Sequence, residues 1–206
     1  MLQHYSMEAL EEWDRFKRAH FFNSLSGFKS THLIGTTSLE GVLNLGLFHN
    51  IVHLGADPAL IGYVNRPREA APHTLANIEA TGQYSLNAVS APWVQAAHQC
   101  SAKYPADVSE FEATGLSPLF RDDIKAPFVA ESVLQYGMEL VEIIPITHNN
   151  TFFVIGRVTG IWVQANLVGS DGFIDLPAGE IVTSAGIDAY YTPTLLHRFP
   201  YAKPSP

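Results

Sequence analysis

The chain has 206 residues, 47% of them hydrophobic, which supplies apolar mass for a full core and argues against global disorder. Its formal net charge of −8 argues against nucleic acid as a partner and obliges any anionic ligand to find a local basic cluster. The single Cys100 leaves no internal disulfide framework and no Cys-rich zinc site; the opening MLQHYSMEALEEWDRF is charged too early for a signal peptide; and no uncharged apolar run reaches the ~18 residues of a membrane span, so no membrane role and a cytoplasmic location are expected.

Ser6 is placed to cap a helix running to about Arg18, with Met7, Leu10 and Trp13 on one face. Phe21–Lys29 (FFNSLSGFK) reads as an irregular lead-in. Thr31–Ser38 reads as a strand, Leu39-Glu40-Gly41 as a hairpin turn, and Val42–Leu54 as one long partner strand. On that run Leu45, Leu47, His49, Ile51 and His53 share a face, and Asn44, Gly46, Phe48, Asn50 and Val52 share the other. Asn44, His49, Asn50 and His53 each require a hydrogen-bond partner if buried. Gly46 permits close approach by another backbone or a ligand ring. Asp57-Pro58 turns the chain into a second core strand, Ala59–Val64. Arg66 and Arg68 follow. Thr74 then caps a helix predicted over Leu75–Ala80 and stopped by Gly82. A helix start presents free N–H groups and partial positive charge, which suits a phosphate. An ordinary cap beside two surface arginines is the competing reading.

Tyr84–Val89 alternates as a strand. Ser90 caps a helix with Pro92 in its first turn, ending near Cys100. After the loop Ser101–Pro105, Asp107 and Glu110 make a capping-box pattern for a short helix ending at Gly115. Leu116–Pro127 reads as a Pro-containing loop. Val133–Ile144 and Phe152–Val163 are β-rich and meet at the hairpin signal Asn149-Asn150. From Pro193 an extended arm is expected, either wrapping a neighbouring subunit or solvated. The expected organisation is one domain over residues 1–206, with 1–28 as N-terminal helix and lead-in and 170–206 as C-terminal extension.

Several common chemistries find no motif. Neither GxGxxG nor GxxxxGK[ST] occurs, nor GxSxG, nor HExxH. On one strand His49 and His53 would stand roughly 13 Å apart, too far to share a metal unaided. A lone Cys100 reads as a small buried hydrophobe. The chemistry is therefore expected to belong to a cofactor.

Four segments together resemble the flavin reductase-like family, whose members have the FMN-binding split β-barrel fold. The hairpin LIGTTSLEGVLNLGLF (Leu33–Phe48) is similar to the family's strand, acidic-Gly turn and N-L-A-x-F. HLGADPALIGYVNRP, from His53, is similar to its S-x-x-P-P-L strand and following basic residue. HTLANIEATGQYSLN (His73–Asn87) is similar to its D-T-L-x-N-I-x-x-T-G-x-F-x-x-N. SAKYPADVSEFEATGLSP (Ser101–Pro118) is similar to its loop and short helix ending in G-L-x-P. The third and fourth are the most specific. The resemblance implies a mainly β (α+β) fold, an FMN-binding split β-barrel with inserted helices, and a homodimer holding FMN noncovalently near the subunit interface. It implies ring contacts from Asn44, Leu45, Phe48, His49 and Asn50, phosphate contacts from Arg66, His73 and Thr74, and a border formed by Lys103 and Tyr104. Many relatives have Ser or Thr where this chain has His49, Asn50 and His53; two readings stay open, a histidine that hydrogen-bonds a ring heteroatom, tunes reduction potential or gates nicotinamide access, with His49 the candidate assisting residue, and a structural substitution. The implied activity is NAD(P)H:flavin oxidoreduction, with hydride passing from NADH or NADPH to flavin N5 and a monooxygenase as one potential consumer of reduced flavin. An FMN-binding electron carrier without a nicotinamide site, and a split-barrel module for haem or a pyridoxal phosphate relative, stay open as alternatives.

Overall fold

The computed structural model describes residues 1–121 and 123–204; Asp122, within the expected loop Leu116–Pro127, and Ser205 and Pro206, at the end of the expected C-terminal extension, lie outside the described residues. In chain order come α1 (Met7–Glu11), α2 (Arg15–Leu25), β1 (Lys29–Ser30), β2 (His32–Thr37), β3 (Leu43–Phe48), β4 (Ile51–Ala56), β5 (Ala59–Asn65) and α3 (Pro72–Thr81). Then follow β6 (Gln83–Ala88), α4 (Val94–Gln99), α5 (Glu110–Thr114), β7 (Pro118–Arg121), β8 (Ile124–Val129), β9 (Leu134–Ile146), β10 (Thr151–Val163), β11 (Thr183–Ala185) and β12 (Ala189–Tyr191). Among the described residues, no helix is long and apolar enough to cross a membrane.

The main sheet is antiparallel, with strand order β3-β2-β6-β9-β10-β5-β4. Its centre is the long β9–β10 hairpin, closed at Asn149-Asn150 as the sequence predicts, with Asn150 at φ 58. One face of the sheet encloses Ile34, Tyr63, Tyr84, Leu86, Met138 and Val154, and α3 closes this interior with Leu75 and Ile78. Opposite it, Leu33 and Leu45 lie under α4 and α5 with Val89, Phe111 and Val129. Burying each large side chain of this kind contributes about 1.5–3 kcal/mol, so the two layers fix which face of β2 and β3 points where. A small sheet, β1-β11-β12, ties the N-terminal lead-in to the C-terminal region.

Three expectations are corrected. The helix from Ser6 does not continue to Arg18, because Asp14 starts a second helix: its Oδ1 accepts from the backbone N–H of Phe16 (3.0 Å) and Lys17 (3.1 Å), and α2 runs through the supposed lead-in to Leu25. Val42–Leu54 is not one strand. It breaks at His49-Asn50, and the halves β3 and β4 lie at opposite edges of the main sheet. The shared face drawn for Leu45 through His53 therefore does not exist. Leu116–Pro127 is no loop; β7 and β8 pair across it, with Pro118 and Pro127 accommodated in a two-stranded ribbon.

Candidate functional site

The first turn of α3 packs against β3. The sequence places a cap at Thr74, but the helix begins two residues earlier, at Pro72, whose fixed φ and missing N–H suit a first helical position. Ala71 precedes it and offers no side-chain cap. Thr74 is instead inside the first turn and buried. Its Oγ1 accepts from Asn44 Nδ2 at 3.1 Å; the same amide donates to Thr36 Oγ1 at 3.1 Å, and Asn77 Nδ2 reaches that hydroxyl at 3.1 Å. This network joins β2, β3 and α3 and answers the need for a partner that a buried Asn44 creates. Gly46 lies beside it. A Cβ there would stand 2.7 Å from the Phe48 ring and 2.9 Å from Thr74 Oγ1, so the close approach that Gly46 permits is taken by the protein itself.

A tight turn links β5 to α3. The N–H groups of Ala70 and Ala71 donate to the Pro67 carbonyl at 2.8 and 3.1 Å, so the turn after Arg66 runs directly into the start of α3. Asn65, fully buried, donates from Nδ2 to the Arg66 carbonyl at 2.8 Å and leaves its Oδ1 unpartnered. The two arginines differ. Arg68 is held by Glu79 through both guanidinium nitrogens, one at 2.7 Å, and lies over the Phe152 ring. Arg66 is exposed and, among the described residues, has no carboxylate partner. His73 is half-buried in the first turn of α3. An uncapped helix start, a partly buried His and an uncommitted Arg make a place where an anion is favoured.

The remaining expected residues divide. Leu45 turns its side chain into the outer core and Phe48 stacks edge-on against Tyr63, ring centroids 5.0 Å apart, so the first has only backbone to offer a ligand. Asn50 is exposed at the β3–β4 break. His49 is half-buried there; its ring stands edge-on to Tyr190, and its Nε2 is buried without a partner. Burial, with Lys29 and His98 nearby, pushes the His49 imidazole down to about 4. Lys103 is exposed, and the Tyr104 hydroxyl accepts from Gln99 Nε2 at 3.0 Å; neither touches the Asn44–Thr74 network. His53, exposed on β4, is separated from His49 by the strand break, and among the described residues no group of His, Cys, Asp or Glu is placed to hold a metal ion. Burial raises the Cys100 thiol to about 12, far from a nucleophile's range.

Sequence reading missed one residue. The sequence pattern places Glu110 in a capping box, yet its Oε2 accepts the outward N–H of Leu45 at 2.8 Å and anchors α5 to the edge strand β3. Burial raises its carboxyl above the ordinary range, against the lowering effects of that N–H, its own backbone and His73. The one signal was its pairing with Phe111 at the start of a short helix, which fits a docked helix as well as a capped one.

An antiparallel sheet curled around an interior that α3 closes, with helices laid on its outer face, defines a split β-barrel. Residues 25–176 match the family model described as Flavin reductase like domain, and the chain belongs to that family. A split-barrel-domain protein from Shewanella frigidimarina NCIMB 400, provisionally assigned as a flavin reductase, is 48% identical; the match covers 97% of this chain and 100% of that one, with a TM-score of 0.93. An uncharacterized protein of Halalkalibacterium halodurans is 31% identical over 151 residues, 70% of this chain and 72% of the relative. The match to an uncharacterized Aquifex aeolicus protein, 26% identical, spans only 62% of that relative. At the level of fold, nitrilotriacetate monooxygenase component B from Bacillus cereus has a TM-score of 0.83 at 20% identity, covering 97% of this chain and 98% of that one.

Proposed function

We propose that this chain, acting as one domain over residues 1–206, is an NAD(P)H:flavin oxidoreductase that holds FMN between β3 and the first turn of α3. The observation that carries the reading is the open helix start: α3 begins behind Ala71 without a capping side chain, a short turn after an Arg66 that no carboxylate neutralises among the described residues. In a family of flavin reductase-like chains, that site suits the flavin phosphate. Arg66 supplies a charge-assisted contact, and the N–H groups of His73 and Thr74 supply neutral ones. Thr74, tied to Asn44, fixes the first turn of α3 against β3, so the donors need no rearrangement to receive the ligand. Backbone at Leu45, the ring of Phe48, and His49 and Asn50 border the isoalloxazine, while Lys103 and Tyr104 approach from the α4–α5 loop. His49 is neutral at physiological pH, so it offers the flavin a hydrogen bond without a competing cation. Bound flavin would accept hydride at N5 from NADH or NADPH, and the protein's part is positioning and electrostatics.

The outer face of the sheet supports a homodimer. Ile144, Phe153 and Val64 lie in register across β9, β10 and β5, beside Ile155 and Val52. Val52 and Ile144 remain 43% and 40% exposed, an apolar patch that a second copy would cover. That the Bacillus cereus neighbour is a component of a monooxygenase supports an oxygenase as consumer of reduced flavin. The test is the visible spectrum of the FMN-loaded protein before and after anaerobic addition of NADH and of NADPH. Bleaching of the flavin band by either nucleotide is expected. A bound flavin that neither nucleotide reduces would overturn the reductase and leave an electron carrier.

A further inference from the structure

The small sheet β1-β11-β12 brings a side chain from beyond the matched family span to the edge of the candidate site. In its register Lys29 faces Ser184 and Ser184 faces Tyr190, so these three side chains share one face. Tyr191 takes the other face and meets the Phe28 ring at 4.9 Å. Tyr190 turns to two histidines. The His49 ring, at the β3–β4 break, stands at 88° to it with centroids 6.0 Å apart. The His98 ring, from the last turn of α4, stands at 85° and 5.7 Å, and His98 Nδ1 lies 2.8 Å from the Tyr190 hydroxyl. His49 and His98 fall within residues 25–176, whereas Tyr190 follows them. The family domain thus supplies both histidines, and the C-terminal strand supplies the ring that touches both.

The two contacts differ in kind. The Tyr190 hydroxyl has a hydrogen-bond partner in His98, whose helix is seated in the outer core through Ala97. His49 Nε2 is buried with no partner among the described residues, so packing, not a bond at that nitrogen, orients the imidazole. The groups around His49 are Lys29 from β1, His98 from α4 and Tyr190 from β12. The Lys29 ammonium donates to the Asn23 carbonyl and the Ser26 hydroxyl, and Asp188, which bears on Tyr190, lies 3.9 Å from His20. Among the described residues no carboxylate pairs with His49, so nothing there compensates a proton on it.

We infer that Tyr190 is a positioning residue for the proposed flavin site, acting through His49: its ring, held by the bond to His98, fixes the orientation of the His49 imidazole at the border of the isoalloxazine. The inference rests on the flavin reading above and adds a residue, outside the family span, on which His49 depends. Removing the Tyr190 ring opens His49 to water. The imidazole is then free to turn and to take up the proton that burial refuses it.

The test uses the full chain with labelled histidine, followed by NMR without flavin and by visible absorbance with FMN. In the wild-type apoprotein, nuclear Overhauser contacts between the His49 and Tyr190 rings are expected, with His49 titrating near 4. In Tyr190→Leu the His49 midpoint should rise from about 4 towards 6.5. Tyr190→Phe keeps the ring, so it should leave His49 low and move only the His98 resonances. With FMN bound, the visible band of wild type should stay fixed between about pH 5 and 8, whereas that of Tyr190→Leu should move with pH at the new His49 midpoint. No ring–ring contact in wild type, or an unmoved His49 midpoint in Tyr190→Leu, would overturn the positioning role. A His49 midpoint that rises while the flavin band ignores pH would overturn its link to the flavin. Failure of wild type to bind FMN would overturn the flavin reading and this role with it, whatever the apoprotein titration gives.

Discussion

At the residue scale, one buried hydroxyl ties α3 to β3: Pro72 supplies the helix start, so the Thr74 hydroxyl is left to serve Asn44. Thr74→Val should therefore cost about 1–3 kcal/mol, the penalty for leaving a buried Asn44 amide hydrogen unbonded, read as a lower denaturant midpoint at unchanged slope. A cost near zero would mean the network is not closed. Two buried titratable groups give opposite pH signatures. His32, fully desolvated and touching the Tyr136 hydroxyl at 2.9 Å, is pushed down to about 4. Its folded value lies below its unfolded one, so the unfolded chain binds the extra proton and stability is lost as pH falls from about 6.5 towards 4. His32→Gln should flatten that acid limb by up to about 3 kcal/mol in pH-dependent urea melts. Glu110 is raised, so its contribution is full at acid pH and lost as pH rises through its folded value. Relative to wild type, Glu110→Gln should gain stability as pH rises to neutrality; a constant difference across pH would show that the carboxyl is not perturbed.

At the element scale, most strands were legible because alternation and turn residues act locally. Gly41 at φ 86 closes the β2–β3 hairpin, and Asn149-Asn150 closes β9–β10. The break between β3 and β4 was not legible. His49-Asn50 carries no Gly or Pro, and the run stays apolar on both sides; the chain parts there because its halves belong to opposite edges of a curled sheet, a global fact. α5 was foreseen as a helix but not as a clamp on β3, since the Leu45 N–H that recruits Glu110 lies 65 residues earlier in the chain. The contact between α3 and β3 turns on Gly46. Gly46→Ala would force apart the Phe48 ring and Thr74, and overpacking of this kind costs about 1–3 kcal/mol. Thermal unfolding should show the loss, with FMN affinity falling alongside because the α3 donors shift.

On the scale of the whole molecule, the fold and the family were legible from four motif-like segments, whereas the site was legible only in part. Asn44 and Thr74 are brought together, with His73 next to Thr74, because the first turn of α3 packs on β3. Lys103 and Tyr104 are not tied to that network, since the α4–α5 loop spends Tyr104 on Gln99. An acidic chain can bind a doubly charged phosphate only where positive groups outweigh the surrounding field, which gives Arg66 its weight. The decisive measurement is a titration of the apoprotein with FMN, followed by flavin fluorescence, for wild type and Arg66→Ala. Saturable micromolar binding is expected for wild type, weakened in the variant by the roughly 1.5–3 kcal/mol of a charge-assisted contact. No saturable binding by wild type, or equal affinity in both, would contradict a phosphate site at the start of α3.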